Sequence, residues 1–434
     1  MTPFETASLI VSIAAAFAYL NHRWLRQPAS IGLMVLALGA SLLLLGVDRL
    51  GWIPVQGFAV KTLDSVRLDT TLLHGMLGAL LFAGALHIDL EDLRSHRVAI
   101  SVLALVGTVL STFLVGGLTF FLLATLGVPV SFGYTLLFGA LISPTDPIAV
   151  LGILRKACVP KSMETQIAGE SLFNDGVGVV VFVTILEIVT EHEDTTWLGI
   201  LSLFAREAGG GILFGLVTGY ATFRLLRSID HYQTELLLTL GLVLGGYALA
   251  ERLHLSAPIA AVTAGLLIGN HGRTHGMSDV TRDHLDKFWS LVDDVLNAVL
   301  FVLVGFEVIR VTITLKTVGA GIGAILIVLF ARLASVSLPM AVLRRVIQPI
   351  RGTIVVLTWG GLRGGISVAL ALSTPPGPSR DLLLTMTYFV VAFSVLVQGL
   401  TLGRIARRYS PASPAPAELT EAASDGHAAR EEES

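Results

Sequence analysis

The sequence predicts an all-α integral membrane protein with about thirteen transmembrane helices, and three observations carry that expectation. Of its 434 residues 53% are hydrophobic and only 14% charged, with mean hydropathy +0.78; soluble domains carry roughly 25% charged residues. Apolar stretches of the roughly 20 residues needed to cross a bilayer recur along the chain as far as Arg408. Glycine is abundant, at 44 residues, as expected where helices in lipid must approach closely. The single cysteine, Cys158, excludes an intramolecular disulfide and joins no metal-ligating pattern.

In order, the spans fall near 4–22, 29–47, 70–88, 98–125, 131–153, 163–189, 198–223, 233–250, 257–270, 288–309, 317–341, 353–373 and 382–403. No basic segment precedes the first span and no small-residue cleavage site follows it, so a retained helix is expected there. Span nine is short. With the N-terminus outside, eighteen Lys and Arg fall in inside loops and seven in outside loops, the asymmetry that orients membrane proteins. This supports an odd number of spans, with the C-terminus in the cytoplasm. Residues 409–434 are rich in Pro, Ala, Ser and Glu without apolar periodicity, which predicts a disordered cytoplasmic tail.

Spans five, six, eleven and twelve carry charges that a bilayer does not tolerate idly. A carboxylate near the middle of a span costs roughly 2.5–3.5 kcal/mol on insertion scales. Span six nevertheless holds Glu170 and the pair Asn174–Asp175, and span five holds Asp146. Arg332 lies too near the middle of span eleven to reach an interface. It needs an internal partner, for which Glu170 is the best candidate.

Two spans are interrupted. Pro144 and Pro147 flank Thr145 and Asp146 in span five, and each proline removes a backbone donor and frees a carbonyl. In span twelve Gly360, Gly361, Gly364 and Gly365 surround Leu362 and Arg363. Spans five and twelve are seven apart, as matching positions of an inverted repeat would be, and such broken helices mark transport sites. Both are equally compatible with ordinary tolerated kinks when taken without their charges.

On a helix at about 100° per residue, with Glu170 at zero, Asn174 falls near 40°, Ser171 near 100° and Asp175 near 140°. All four share one face. Glu170 is turned well away from Asp175, toward a different partner. Oxygen ligands without sulfur or imidazole suit a hard cation, so these residues predict a path for cations or protons.

Four segments together resemble the NhaP-type branch of the monovalent cation/proton antiporters, relatives of the eukaryotic sodium/proton exchangers: SPTDPIAV at 143–150, GESLFNDG at 169–176, the mid-span Arg332, and GGLRGGIS at 360–367. The resemblance covers roughly residues 1–408. It implies exchange of one Na⁺, Li⁺ or K⁺ for one proton by an elevator-like movement. The implied moving core lies at about 98–190 and 317–408, and the dimerisation scaffold at about 1–95 and 198–310. By position Asp175 resembles the essential cation- and proton-binding carboxylate. Asn174 beside it resembles the residue that goes with electroneutral exchange. Thr145 would offer its carbonyl, Asp146 would act through water, and Ser171 would be a direct ligand. Thus Asp175, Ser171, Thr145 and Asp146 are the expected holders of the transported cation. Glu170 and Arg332 match an interhelical ion pair, and Arg363 matches the arginine of the glycine-rich break, its partner unassigned. The resemblance further implies a homodimer in the cell (inner) membrane, with no cofactor, no nucleic-acid partner and no enzymatic activity.

One departure stands out. Relatives often carry Glu in span three in a pattern like LLFEAAL, whereas this chain has LLFAGAL at 80–86, with Ala83 in that place. His74 faces another side and is expected to be a packing histidine. Asp293 and Asp294 either line a cytoplasmic funnel or sit at the inner end of span ten, and Asn297 is expected to bond across helices. Two other readings remain: a K⁺/H⁺ antiporter or proton-coupled carrier of another small solute, and an intramembrane aspartyl protease using Asp146 and Asp175. The second lacks a GxGD motif and leaves the second break unexplained.

Overall fold

The structure is a computed structural model that describes residues 2–50, 57, 75–191, 197–273, 276–311, 314–347 and 352–409. Among these residues every regular element is helical. Eight helices are long and apolar enough to cross a membrane. They include α1 (Phe4–Leu25), α2 (Ala29–Asp48) and, after α3 (Leu77–Leu86) and α4 (Leu90–Ser95), α5 (Arg97–Thr125). Span five is two half-helices, α6 (Phe132–Ile142) and α7 (Pro147–Lys156), followed by α8 (Lys161–Glu191). Next come α9 (Ser202–Leu226), α10 (Tyr232–Arg252), the shorter α11 (Ala257–Leu267), α12 (Asp279–Phe306) and α13 (Leu315–Val342). Span twelve is likewise divided, into α14 (Thr353–Trp359) and α15 (Gly365–Ser373), before α16 (Pro378–Arg407).

Each expected span thus has a helix or a pair of half-helices in its place. Span three is described only from Gly75 onward, and His74 lies outside the described residues. One element had no sequence expectation. The short α4 starts where the Asp89 carboxylate accepts from the backbone N–H of Glu91 and Asp92, and Lys161 pairs with Asp92 at 2.7 Å. Six residues are too few to register as a span.

The helices pack as two neighbourhoods. In one, α5, α6, α8, α13, α15 and α16 surround the breaks; in the other, α3 and α9–α11 pack together, and α12 lies on α1, α2 and α3. They meet where α8 touches α3, α9 and α11, where α12 touches α15, and where α2 touches α7 and α16.

The Gly211–Gly215–Gly219 stripe shows how close α9 and α11 lie. A Cβ on Gly215 would come within 2.9 Å of the Thr263 Cβ and 3.0 Å of the Ala260 Cα, and one on Gly219 would sit 3.2 Å from the Ala264 Cα. Backbone, which cannot swing aside, lies opposite. Gly215→Leu is therefore expected to destabilise the folded protein by about 1–3 kcal/mol, seen as a lower thermal-unfolding midpoint in detergent. Gly241→Leu, with open space where its Cβ would go, should leave that midpoint nearly unchanged.

Candidate cation and proton site

The first break follows from its two prolines. Pro147 has no N–H to give the Ser143 carbonyl, and Pro144 has none for Ala140. The Ala140 carbonyl accepts instead from the Ser143 N–H at 3.3 Å. The Ser143 and Pro144 carbonyls both accept from Arg363 Nη1, at 2.7 and 2.9 Å. Arg363 is buried, so this charge sits where α6 leaves its negative end. That supplies the partner the sequence left unassigned.

The second break is held reciprocally. The Asp146 N–H donates to the Leu362 carbonyl at 2.8 Å, so the two interrupted segments touch through their backbones. A wide, π-helical turn at Ser394–Gln398 in α16 turns two side chains onto the same break. Ser394 Oγ accepts from the Arg363 N–H at 2.8 Å, and Gln398 Nε2 donates to the Trp359 carbonyl at 3.1 Å. Glycine is required here by close approach. A Cβ on Gly364 would come within 2.9–3.2 Å of the Asp146 side chain, and one on Gly361 within 2.6 Å of Arg332 Nε.

Across the first break runs α8, presenting Glu170, Ser171, Asn174 and Asp175, all buried. Asn174 Nδ2 donates to Thr145 Oγ1 at 2.8 Å and to Glu170 Oε1 at 3.3 Å, while its Oδ1 accepts from the Thr145 N–H at 3.2 Å. Ser171 Oγ and Thr145 Oγ1 lie 2.9 Å apart. The Ser171 hydroxyl thus meets Thr145 across the break, whereas helical spacing alone pointed it toward Asp175. Glu170 meets Arg332 in a two-pronged contact of 2.5 and 2.8 Å. Arg332 also donates to the Leu357 carbonyl from Nε and Nη2, at 3.3 and 3.1 Å. That carbonyl belongs to the last turn of α14, whose helical partner is lost at the glycine break.

Asp175 is different. It is buried, and its Oδ1 has no hydrogen-bond partner. It lines a small cleft of about 50 Å³ together with Thr145, Asp146, Asn297, Gly364 and Ser367. Such a space suffices for a small cation with a few waters, at roughly 10–15 Å³ per water. Ser367 Oγ is buried without a partner as well. Ser367 closes the GGLRGGIS motif but is uncharged and breaks no helix, so nothing in the sequence alone singled it out. The opposite wall is α3, through Leu77, Leu80, Leu81 and Gly84. Ala83 does not line the cleft; it is buried among Phe82, Leu86 and Trp289. The α3 wall of the cleft is therefore apolar without any contribution from position 83.

One further expectation changed. Asn297 does not bond across helices: its Nδ2 donates within α12, to the Asp293 main-chain oxygen at 2.8 Å and to Asp293 Oδ1 at 3.0 Å. Asp293 is half-buried and Asp294 exposed. Among the described residues no group of three or more His, Cys, Asp or Glu side chains is arranged to hold a metal ion.

A helical membrane protein in which two broken helices cross beside a buried carboxylate has the architecture of a secondary carrier. The chain belongs to the transmembrane sodium/hydrogen exchanger family, whose profile matches residues 11–408. It is 49% identical over 414 residues to the Na⁺/H⁺ antiporter NhaP of Pseudomonas aeruginosa, covering 94% of this chain and 98% of that protein. It is 37% identical over 383 residues to the Na⁺/H⁺ antiporter NhaH of Halobacillus dabanensis, covering 87% and 91%. Among solved structures, the sodium proton antiporter MjNhaP1 from Methanocaldococcus jannaschii superposes with a TM-score of 0.73 at 19% identity, over 94% of this chain and 98% of that one. That likeness concerns the fold.

Proposed function

We propose that this protein is a secondary antiporter of the cell membrane, exchanging Na⁺, or another monovalent cation, for H⁺, with Asp175 holding the cation and the proton in turn. The observation that carries the reading is the unpartnered Oδ1 of a buried Asp175, facing a cleft at the crossing of two broken helices. Arg332 and Arg363 are already engaged by Glu170 and by main-chain carbonyls, so the Asp175 carboxylate is left for a mobile cation. Burial penalises a bare charge; binding either a proton or a cation neutralises it. Only the neutralised site crosses cheaply, which makes exchange obligatory.

In this reading Thr145, Ser171 and Asn174 form the rest of the shell beside Asp175, and Asp146 acts through water. The Thr145 hydroxyl is committed to Ser171 and Asn174, which leaves its carbonyl for the ion. The two packing neighbourhoods support a moving core at about 98–190 and 317–408, and a homodimeric scaffold at about 1–95 and 198–310. The N-terminus lies outside and residues 409–434 lie in the cytoplasm. Exchange is electroneutral, one cation for one proton.

The test is exchange in sealed proteoliposomes with an internal pH dye, using Na⁺, K⁺ and Li⁺ in turn, with and without a valinomycin clamp. Cation-dependent proton movement insensitive to the clamp is expected. A proton flux independent of every monovalent cation would sink the proposal. Oxygen ligands of this kind do not by themselves separate Na⁺ from K⁺, and the same assay makes that choice. Because one carboxylate serves both ions, protons compete with the cation, so the apparent cation affinity should weaken as pH falls. An affinity constant across pH would show that the two ions do not share a site.

A further inference from the structure

We propose that Asn297 is a direct oxygen ligand of the transported cation, presented by α12 and oriented by Asp293. The inference rests on the antiport reading and adds a ligand from the other packing neighbourhood. Asn297 is buried and lines the cleft that contains Asp175. An asparagine amide carries two donors on one end and an acceptor on the other. The donor end is taken up one turn back along α12 by the main-chain oxygen and the carboxylate of Asp293, at 2.8 and 3.0 Å. The end left for the cleft is therefore the carbonyl oxygen, a hard ligand suited to a hard cation. The opposite orientation would aim an NH₂ group at the ion and repel it.

The surroundings give this amide no other employment. It donates to no neighbouring helix, so it does not serve as the interhelical bond common among membrane asparagines. Its chain neighbours Leu296 and Ala298 are apolar, and Leu300, one turn on, lines the same cleft. Two other oxygens there, Asp175 Oδ1 and Ser367 Oγ, lack partners, and unsatisfied buried polar atoms call for a water or an ion between them. The site then has walls of two kinds. Asp175, Thr145 and Ser367 belong to α8 and the broken helices, while Asn297 belongs to a helix that packs on α1, α2 and α3. Movement of one group past the other breaks the Asn297 contact, so loss of this ligand accompanies the movement itself.

The experiment uses the full chain purified in detergent. Thermal stabilisation by NaCl is titrated against choline chloride at equal ionic strength, and the apparent KM for Na⁺ is measured in proteoliposomes. Asn297→Ala, and the size-matched Asn297→Leu, should each weaken Na⁺ binding and raise KM about tenfold, the scale of one lost polar contact, with a smaller change in maximal rate. Asp293→Ala should act in the same direction but less, because the residue 293 main-chain oxygen still accepts from the amide. Combined with Asn297→Ala, it should add nothing to the loss of Na⁺ affinity, because Asp293 acts on the ion only through the Asn297 amide. If Asn297→Ala does not fold, the size-matched Asn297→Leu, which also lacks an oxygen, carries the same comparison. Unchanged Na⁺ binding in folded Asn297 variants, or additive effects in the double variant, would overturn the assignment while wild-type binding keeps the antiport reading intact. Absence of monovalent-cation binding and exchange in the wild type would overturn both.

Discussion

Asp175→Asn is expected to abolish cation-coupled proton movement in proteoliposomes at every pH. The replacement keeps the size and one carbonyl oxygen but removes the charge and the titratable proton. The site can then neither recruit a cation by charge nor carry a proton back. No nearby group inherits the role. Glu170 is held by Arg332 and Asn174, and Asp146 sits across the break with its backbone tied to Leu362. Because Asn fills the same volume, the variant should fold and unfold at close to the wild-type temperature. That separates loss of chemistry from loss of structure. Residual pH-dependent exchange would mean that another carboxylate carries the ions.

The second large effect is on stability. Glu170 and Arg332 are both buried, and removing one member of such a pair strands the other charge away from water. That typically costs about 3–5 kcal/mol. Glu170→Ala and Arg332→Ala should each lower the folded yield and the thermal-unfolding midpoint in detergent. Arg332→Ala should be the worse of the two, because it also leaves the Leu357 carbonyl at the end of α14 without the donors it now has. A double replacement by apolar residues of similar volume should be milder than either single, since no lone charge remains. Unfolding midpoints at the wild-type value in both single variants would remove the pair from any structural role.

The parts of the site that were legible in the sequence are those set by local geometry. The 3.6-residue period alone puts Glu170, Ser171, Asn174 and Asp175 on one face of α8. Proline chemistry alone breaks span five beside Thr145 and Asp146. Arg332 demanded a buried acid because its depth ruled out reaching water. What could not be read were contacts whose partners lie far apart in the chain. Arg363 capping the Ser143 and Pro144 carbonyls joins residues about 220 positions apart, and no local pattern encodes that reach. The Ser394 contact depends on a π-helical turn inside an otherwise ordinary apolar helix. Asn297 misled for the opposite reason: an asparagine in a span suggests a bond to a neighbouring helix, yet its partner is local, the Asp293 carboxylate and main-chain oxygen one turn back.

The sequence by itself determined that the chain is a helical membrane protein, where its spans fall, where two of them break, and which charges are too costly to be idle. These follow from hydropathy, from backbone donors that proline lacks, and from the price of burying a charge, all properties of residues and their near neighbours. Only the tertiary structure decided which buried groups are already satisfied and which are not. Four polar side chains share one face of α8. Thr145 in the first break and Arg332 of α13 supply partners for Glu170, Ser171 and Asn174 and leave Asp175 Oδ1 open to a cleft. Whether a buried polar atom has a partner is a fact about distances between helices, and those are fixed only when the helices pack.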